Sequence, residues 1–265
     1  MKGSKESMRT IAIIQARMNS SRLPGKVLRE IAGKPMVGWV IERCRLSARL
    51  DEVAVATTTD ASDDPVEEYC ILQGVGVYRG DQFDVLDRYY QAARCFGAEV
   101  IVRVTADCPL IDAEVIDHTL QTFFETGVDF AANRLPPPFT RTYPIGLDTE
   151  VCSFQALERA WKEAVEPYER EHVMPYLYDV KDRFRTLLVN YPIDYGKVRL
   201  TVDTAEDLEF MRQVFSRFAP DGNFSWLDVL ALLEREPELS RINAGVQHKV
   251  MNDVDERNPD TPFQP

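Results

Sequence analysis

The chain has 265 residues, 45% of them hydrophobic and 28% charged, with a formal net charge of -12. That size and apolar content suit one sizeable globular domain. No stretch approaches the ~20 apolar residues that cross a bilayer, and the acidic balance argues against a duplex nucleic-acid partner.

The five cysteines, Cys44, Cys70, Cys95, Cys108 and Cys152, are scattered and contain no C-x-x-C pair, which disfavours a disulfide framework and a zinc site. The histidines, His118, His172 and His248, are not at metal-ligand spacing. The opening MKGSKESMR leads into an apolar run too short for a signal-peptide core, so the expected location is the cytoplasm.

In chain order, Ile11–Ile14 is short and β-branched and reads as a buried strand. A loop rich in Ser, Arg, Pro and Gly follows from Ala16 to Lys26, and Pro35 opens a helix. Val53–Ala56 is the next strand, Pro65 starts a helix, and Val75–Tyr78 is a short strand. Asp84 can cap a helix through Ala93, Val100–Val104 is a further strand, and Asp112 can cap the next helix. Beyond Leu135-Pro136-Pro137-Pro138-Phe139, a loop or extended arm, the pattern predicts strands at Gly146–Cys152 and Val198–Val202, with Ser153 capping a helix after the first of them. It also predicts helices over Ala205–Phe218 and through Trp226–Leu233.

Strands alternate with helices, which implies an α/β fold with a mainly parallel sheet covered on both faces. Residues 1–8 read as a flexible start, 9–243 as a single domain, and 244–265 as a polar tail that is mobile or packs on a partner.

Ligands of such sheets sit at the carboxyl ends of strands. The loop after the first strand places Arg17, Arg22 and Lys26 together, with Ser20, Ser21 and Gly25 between them. Small residues let backbone N–H groups approach an anion that the cations neutralise. It is not a P-loop, because G-x-x-x-x-G-K-[ST] is absent. Residue chemistry alone leaves a solvated basic loop as the alternative. After the Val100–Val104 strand, Asp107 can coordinate magnesium through a hard oxygen, or serve only as a turn aspartate. Asp203 ends a predicted strand, while Thr204 and Asp207 have a sufficient explanation as a capping box.

The string Gln15-Ala16-Arg17-Met18-Asn19-Ser20-Ser21-Arg22-Leu23-Pro24-Gly25-Lys26, followed by Ile31-Ala32-Gly33-Lys34-Pro35-Met36, resembles the start of the sugar cytidylyltransferases, the group of the CMP-KDO and CMP-acylneuraminate synthetases. The spore-coat polysaccharide biosynthesis protein F branch is nearest in pattern. The strings Arg79-Gly80-Asp81, Asp84 to Tyr89, Tyr143 to Glu150 and Tyr168 to Val173 are similar to that branch as well.

The resemblance implies a three-layer α/β/α domain of the Rossmann-like nucleotide-diphospho-sugar transferase type, dimeric, that couples CTP to an acidic or specialised sugar with Mg2+ and releases pyrophosphate. It gives the nucleotide to Ala16, Arg17, Ser20, Arg22, Gly25, Lys26, Arg79, Thr105 and Asp107, and the metal to Asp107 and Asp203. The family's KDO enzymes carry Gln-Gly-Asp-Glu-Pro where this chain has Thr105-Ala106-Asp107-Cys108-Pro109.

On the sugar side, Asp148 and Glu150 alternate with Leu147 and Thr149 and share a strand face. Arg170 can meet a sugar carboxylate or bridge Glu166 on its own helix, and His172 can position a hydroxyl or line a subunit contact. Tyr89 and Tyr90 read more simply as helix packing. A glycosyltransferase on the same fold and a non-catalytic scaffold of a polysaccharide pathway are the competing classes.

Overall fold

A computed structural model describes residues 8–136, 139–218 and 222–247; most of the leading segment, Pro137–Pro138 of the proline run and the tail from His248 lie outside them. Among the described residues, seven strands form one sheet: β1 (Thr10–Gln15), β4 (Glu52–Thr58), β5 (Gly76–Gly80), β6 (Val100–Thr105), β7 (Phe130–Ala132), β8 (Glu150–Ser153) and β9 (Thr186–Leu188). Their order is β5-β4-β1-β6-β8-β7-β9. β8 pairs antiparallel with β6 and β7, and the remaining pairs are parallel. A short hairpin of β2 (Glu30–Ile31) and β3 (Lys34–Pro35) stands apart.

The chain leaves β1 for β4 on one side and returns on the other side as β6, with Gln15 opposite Thr105 in register. This reversal of strand order opens a crevice at the carboxyl ends of β1 and β6. The two loops singled out in the sequence are therefore neighbours.

Helices cover both faces. Alternate strand residues face opposite sides, so Ala12, Ile14, Val53, Val55 and Val102 pack against α1 (Met36–Arg45), α2 (Asp64–Leu72) and α4 (Ala113–Thr126). Ile11, Ile13, Ala54, Ala56 and Ile101 pack against α3 (Val85–Phe96), α5 (Phe154–Glu163) and the segment of α6 (Pro167–His172) and α7 (Pro175–Tyr178). A third cluster joins α8 (Ala205–Phe215) and α9 (Trp226–Arg235) to Trp39, Leu110, Tyr143 and Val202. Arg43, buried on α1, donates to Ile111 O, Gly222 O and Phe224 O at 2.7, 3.2 and 2.9 Å, and so ties this C-terminal unit to the sheet.

The expected side-chain caps are present: Asp84 accepts from Asp87 N, Asp112 from Glu114 N, Ser153 from Ala156 N and Thr204 from Asp207 N. Three expectations need correction. The strand predicted over Gly146–Cys152 is β8, beginning only at Glu150, because the backbone before it bonds to Asn133 and to the Val198–Leu200 segment. Val198–Val202 is not a strand; it touches Ile145 through one parallel bridge at Arg199. The helix predicted to reach Phe218 ends at Phe215.

Candidate active site

The loop after β1 is shaped by its own backbone. Ser20 N and Gly25 N both donate to Met18 O, at 2.9 and 2.8 Å, and Gly25 takes a left-handed φ of 70°. A fully buried acid absent from the sequence reading, Asp63, fixes the loop to the β4–α2 connection. Its carboxylate accepts from Met18 N at 2.6 Å and from Thr58 N at 3.1 Å. The chain then turns so that Lys26, 9% exposed, points inward.

Lys26 Nζ donates to Asp107 Oδ2 at 2.8 Å, Asp203 Oδ1 at 3.0 Å and Val202 O at 2.9 Å. Arg22 Nη2 reaches Asp203 Oδ1 at 3.0 Å, and Thr105 Oγ1 donates to Asp107 Oδ1. Arg22, Lys26, Thr105, Asp107 and Asp203 thus form one bonded cluster. Ala16 continues β1, donating to Ala56 O at 3.1 Å, and Arg17 and Ser20 follow it, partly buried.

Asp203 is positioned by residues that periodicity does not reveal. Arg199 Nη2 donates to Asp203 Oδ2 and to Asp207 Oδ2, each at 2.8 Å. The buried Asp207 carboxylate accepts from Asp203 N, Thr204 N and Asn243 Nδ2. The capping-box aspartate therefore also holds the segment that presents Asp203. Val202 N and Thr201 Oγ1 both donate to Asp107 O, at 2.9 and 3.1 Å, closing the two carboxylate segments on each other. Gly146 permits this approach: its φ is 104°, and a Cβ there would lie 2.4 Å from Leu200 C and O.

Electrostatics follow from this packing. Burial opposes the Lys26 charge, but Asp107 and Asp203 outweigh it and raise the Lys26 pKa. Burial likewise opposes the Asp203 carboxylate; Lys26 and the Arg199 hydrogen bond prevail and hold it well below the usual range. Asp107 is also lowered, burial being overcome by Lys26.

The remaining sequence candidates occupy other positions. Arg79, at the end of β5, donates to Thr58 O at 2.7 Å and Asp60 O at 2.9 Å and pairs with Asp64 and Glu67, each at 2.7 Å. Asp148 precedes β8 and pairs with Arg141; its charge also reaches the thiol of Cys108, the neighbour of Asp107. Glu150 is buried in a pair with Arg103, its register partner, and Arg103 Nη2 continues to Gln15 Oε1 at 3.2 Å. Arg170 binds Asp84, with Nε 3.1 Å from Oδ1, and Trp161 O at 2.8 Å. Its partner is thus the α3 cap, not Glu166, which is occupied in the capping box of α6. His172 ends α6, partly buried. Tyr90 stacks on Trp161 at 4.1 Å between ring centres.

Among the described residues no group of three or more His, Cys, Asp or Glu side chains is arranged to hold a metal. No described helix is long and apolar enough to cross a membrane.

Comparison with known proteins bears on the family. The chain is 36% identical over 252 residues to an uncharacterized protein of Methanocaldococcus jannaschii, covering 94% of this chain and 100% of that one. It is 34% identical over 244 residues to the spore coat polysaccharide biosynthesis protein SpsF of Bacillus subtilis, covering 85% of this chain and 94% of SpsF. The fold superposes on a cytidylyltransferase structure from Leptospira borgpetersenii with a TM-score of 0.83 and 34% identity, over 91% of this chain and 100% of that one. The cytidylyltransferase family model matches residues 11–238, from β1 through both carboxylate segments, and the chain belongs to that family.

Proposed function

We propose that the protein couples CTP to an acidic or otherwise specialised sugar of the nonulosonate kind, giving a CMP-sugar and pyrophosphate for surface polysaccharide synthesis. The observation that carries this reading is the meeting of Asp107 and Asp203 on Lys26 Nζ beside the basic loop. Two hard-oxygen carboxylates suit a cation whose shell is completed by phosphate oxygens and water, which is the habit of magnesium. Bound there, magnesium would be held by Asp107 and Asp203 and would supply charge neutralisation at the phosphates.

The chain's own residues do the rest. Arg17, Arg22 and Lys26 hold the β- and γ-phosphates. An acceptor hydroxyl oxygen forms a bond to the α-phosphorus, the bond from that phosphorus to the β-phosphate oxygen breaks, and the hydroxyl proton passes to water. The negative charge growing on the departing pyrophosphate is met by preplaced cations, so positioning and electrostatics carry the rate. Of the sugar-side candidates, Glu150 is buried against Arg103 and Arg170 binds Asp84, so Asp148, half-buried beside Arg141, is the acid favoured for the sugar.

The test is a pyrophosphate-release assay on the full chain with magnesium, CTP and a panel of sugar acids, with the product read by mass spectrometry. A CMP-sugar formed only when CTP and an acceptor are both present supports the proposal. Consumption of a ready-made nucleotide sugar, with no pyrophosphate from CTP and any acceptor, replaces it with glycosyl transfer.

A further inference from the structure

Arg88 lies in a stretch similar to the spore-coat branch, yet the chemistry above gives it no task. It is wholly buried in the first turns of α3. Its Nη1 donates to Asp81 O in the turn before the helix, while Nε and Nη2 are buried and have no hydrogen-bond partner. These two N–H groups form the side-on edge of the guanidinium, which matches a planar group with two adjacent acceptors. A buried donor without a partner is costly, so two on one edge call for a ligand.

The position supports this. The next residue, Tyr89, reaches Ile13 O at 3.1 Å and Val104 O at 3.3 Å, so this part of α3 lies under the β1–β6 crevice. Asp63, which anchors Met18 of the loop, and Arg17 of the loop itself are electrostatic neighbours of Arg88, together with Asp81. Burial first, and Arg17 second, disfavour the Arg88 charge. Two carboxylates beside two guanidiniums leave the surroundings close to neutral, which suits an uncharged ring edge better than a phosphate.

We propose that Arg88 reads the base of the nucleotide, its Nε–H and Nη2–H donating to N3 and O2 of cytosine. The inference rests on the reading of the chain as a CTP-using enzyme. Uracil presents N3–H where cytosine presents an acceptor, so two donors would face each other and the wrong pyrimidine is rejected. Arg88 is wholly buried with Nη1 bound to Asp81 O, so its surroundings have to open for a ring to reach the Nε–Nη2 edge.

The experiment measures binding of CTP, UTP and 3-deaza-CTP to the full chain with magnesium, by calorimetry. A bidentate contact is worth about tenfold or more, so the wild type is expected to bind CTP at least about tenfold tighter than either analogue. Arg88→Lys keeps the charge but not the fork, and its CTP-to-UTP ratio is expected to fall to within about twofold of one. Equal binding of CTP and 3-deaza-CTP by the wild type overturns the proposal. So does a folded R88K protein that weakens CTP and UTP alike with the ratio unchanged, because that is the mark of a packing or phosphate role. Should R88K not fold, the wild-type comparison with 3-deaza-CTP decides alone. No binding of CTP at all removes the functional reading and this inference together, whereas tight CTP binding without base selectivity removes only the inference.

Discussion

Asp107 and Asp203 come from opposite halves of the sequence, yet both bond the same atom, Lys26 Nζ, at 2.8 and 3.0 Å. An ammonium group placed between two carboxylates keeps them together without a metal and ties the first loop to the last third of the chain.

The first consequence concerns catalysis. Asp107→Asn keeps the side-chain volume and leaves Lys26 paired with Asp203. Pyrophosphate release from CTP is expected to fall by about 10²–10³-fold or more, the scale of losing one preorganised electrostatic group. The melting temperature is expected to stay within a few degrees. A variant that retains wild-type turnover would remove Asp107 from the machinery.

The second concerns pH. Asp107 and Asp203 are depressed below their unfolded values and Lys26 is raised above its own. The carboxylates contribute stability that is present above the unfolded value of ~4 and lost as pH falls through the folded values; the lysine contributes stability present below ~10.4 and lost as pH rises through its folded value. Urea melts are therefore expected to weaken below pH ~4 and above pH ~10.4 from this cluster. Lys26→Met leaves Asp107 beside Asp203 without its main cation. That variant is expected to lose about 1–3 kcal/mol at neutral pH and to regain part of it on mild acidification, a sign opposite to the wild type.

A third prediction tests the support of Asp203. Asp207 is 0% exposed and Arg199 is its ion-pair partner. Arg199→Met leaves a buried charge short of its partner and is expected to cost about 3–5 kcal/mol. Removing both charges with Arg199→Met and Asp207→Asn is expected to cost less than the two single changes summed, a coupling that a double-mutant cycle in urea reads directly.

The fourth addresses the close approach at Gly146. Gly146→Ala puts a side chain in a left-handed conformation and against the Leu200 backbone. The combined strain and overpacking are expected to cost roughly 2–4 kcal/mol. Thermal melts would show it, and a raised KM for CTP at temperatures where the variant is folded would show that the Asp203 segment has moved.

The parts of this molecule that were legible in the sequence are those with a local signature. Ile11–Ile14 is apolar and β-branched, and it lies within β1; Asp84, Asp112, Ser153 and Thr204 carry capping chemistry, and each caps its helix. The basic loop and both aspartates are singled out by their place after predicted strands and by the resemblance, and the fold brings Lys26, Asp107 and Asp203 together. What stayed hidden depends on partners distant in the chain. Val198–Val202 has a strand's composition, but its N–H groups find Ile145 O and Asp107 O in loops and not a sheet neighbour. β7 and β9 are three-residue strands, too short for any alternation to register. The clamp of Asp63 on Met18 and the orientation of Asp203 by Arg199 and Asp207 are tertiary hydrogen bonds, and nothing in residue spacing announces them. The ion-pair partners of Arg79, Glu150 and Arg170, which are Glu67, Arg103 and Asp84, are likewise set by the fold.

The basic loop is translated first, but the groups that neutralise Lys26 include Val202 O and Asp203, made much later. A polypeptide cut short before that point, by stalled synthesis or by a protease, carries the cationic loop without Asp203, the acid that both Arg22 and Lys26 bond. Fragments of this kind lack the second carboxylate that Lys26 bonds in the folded chain.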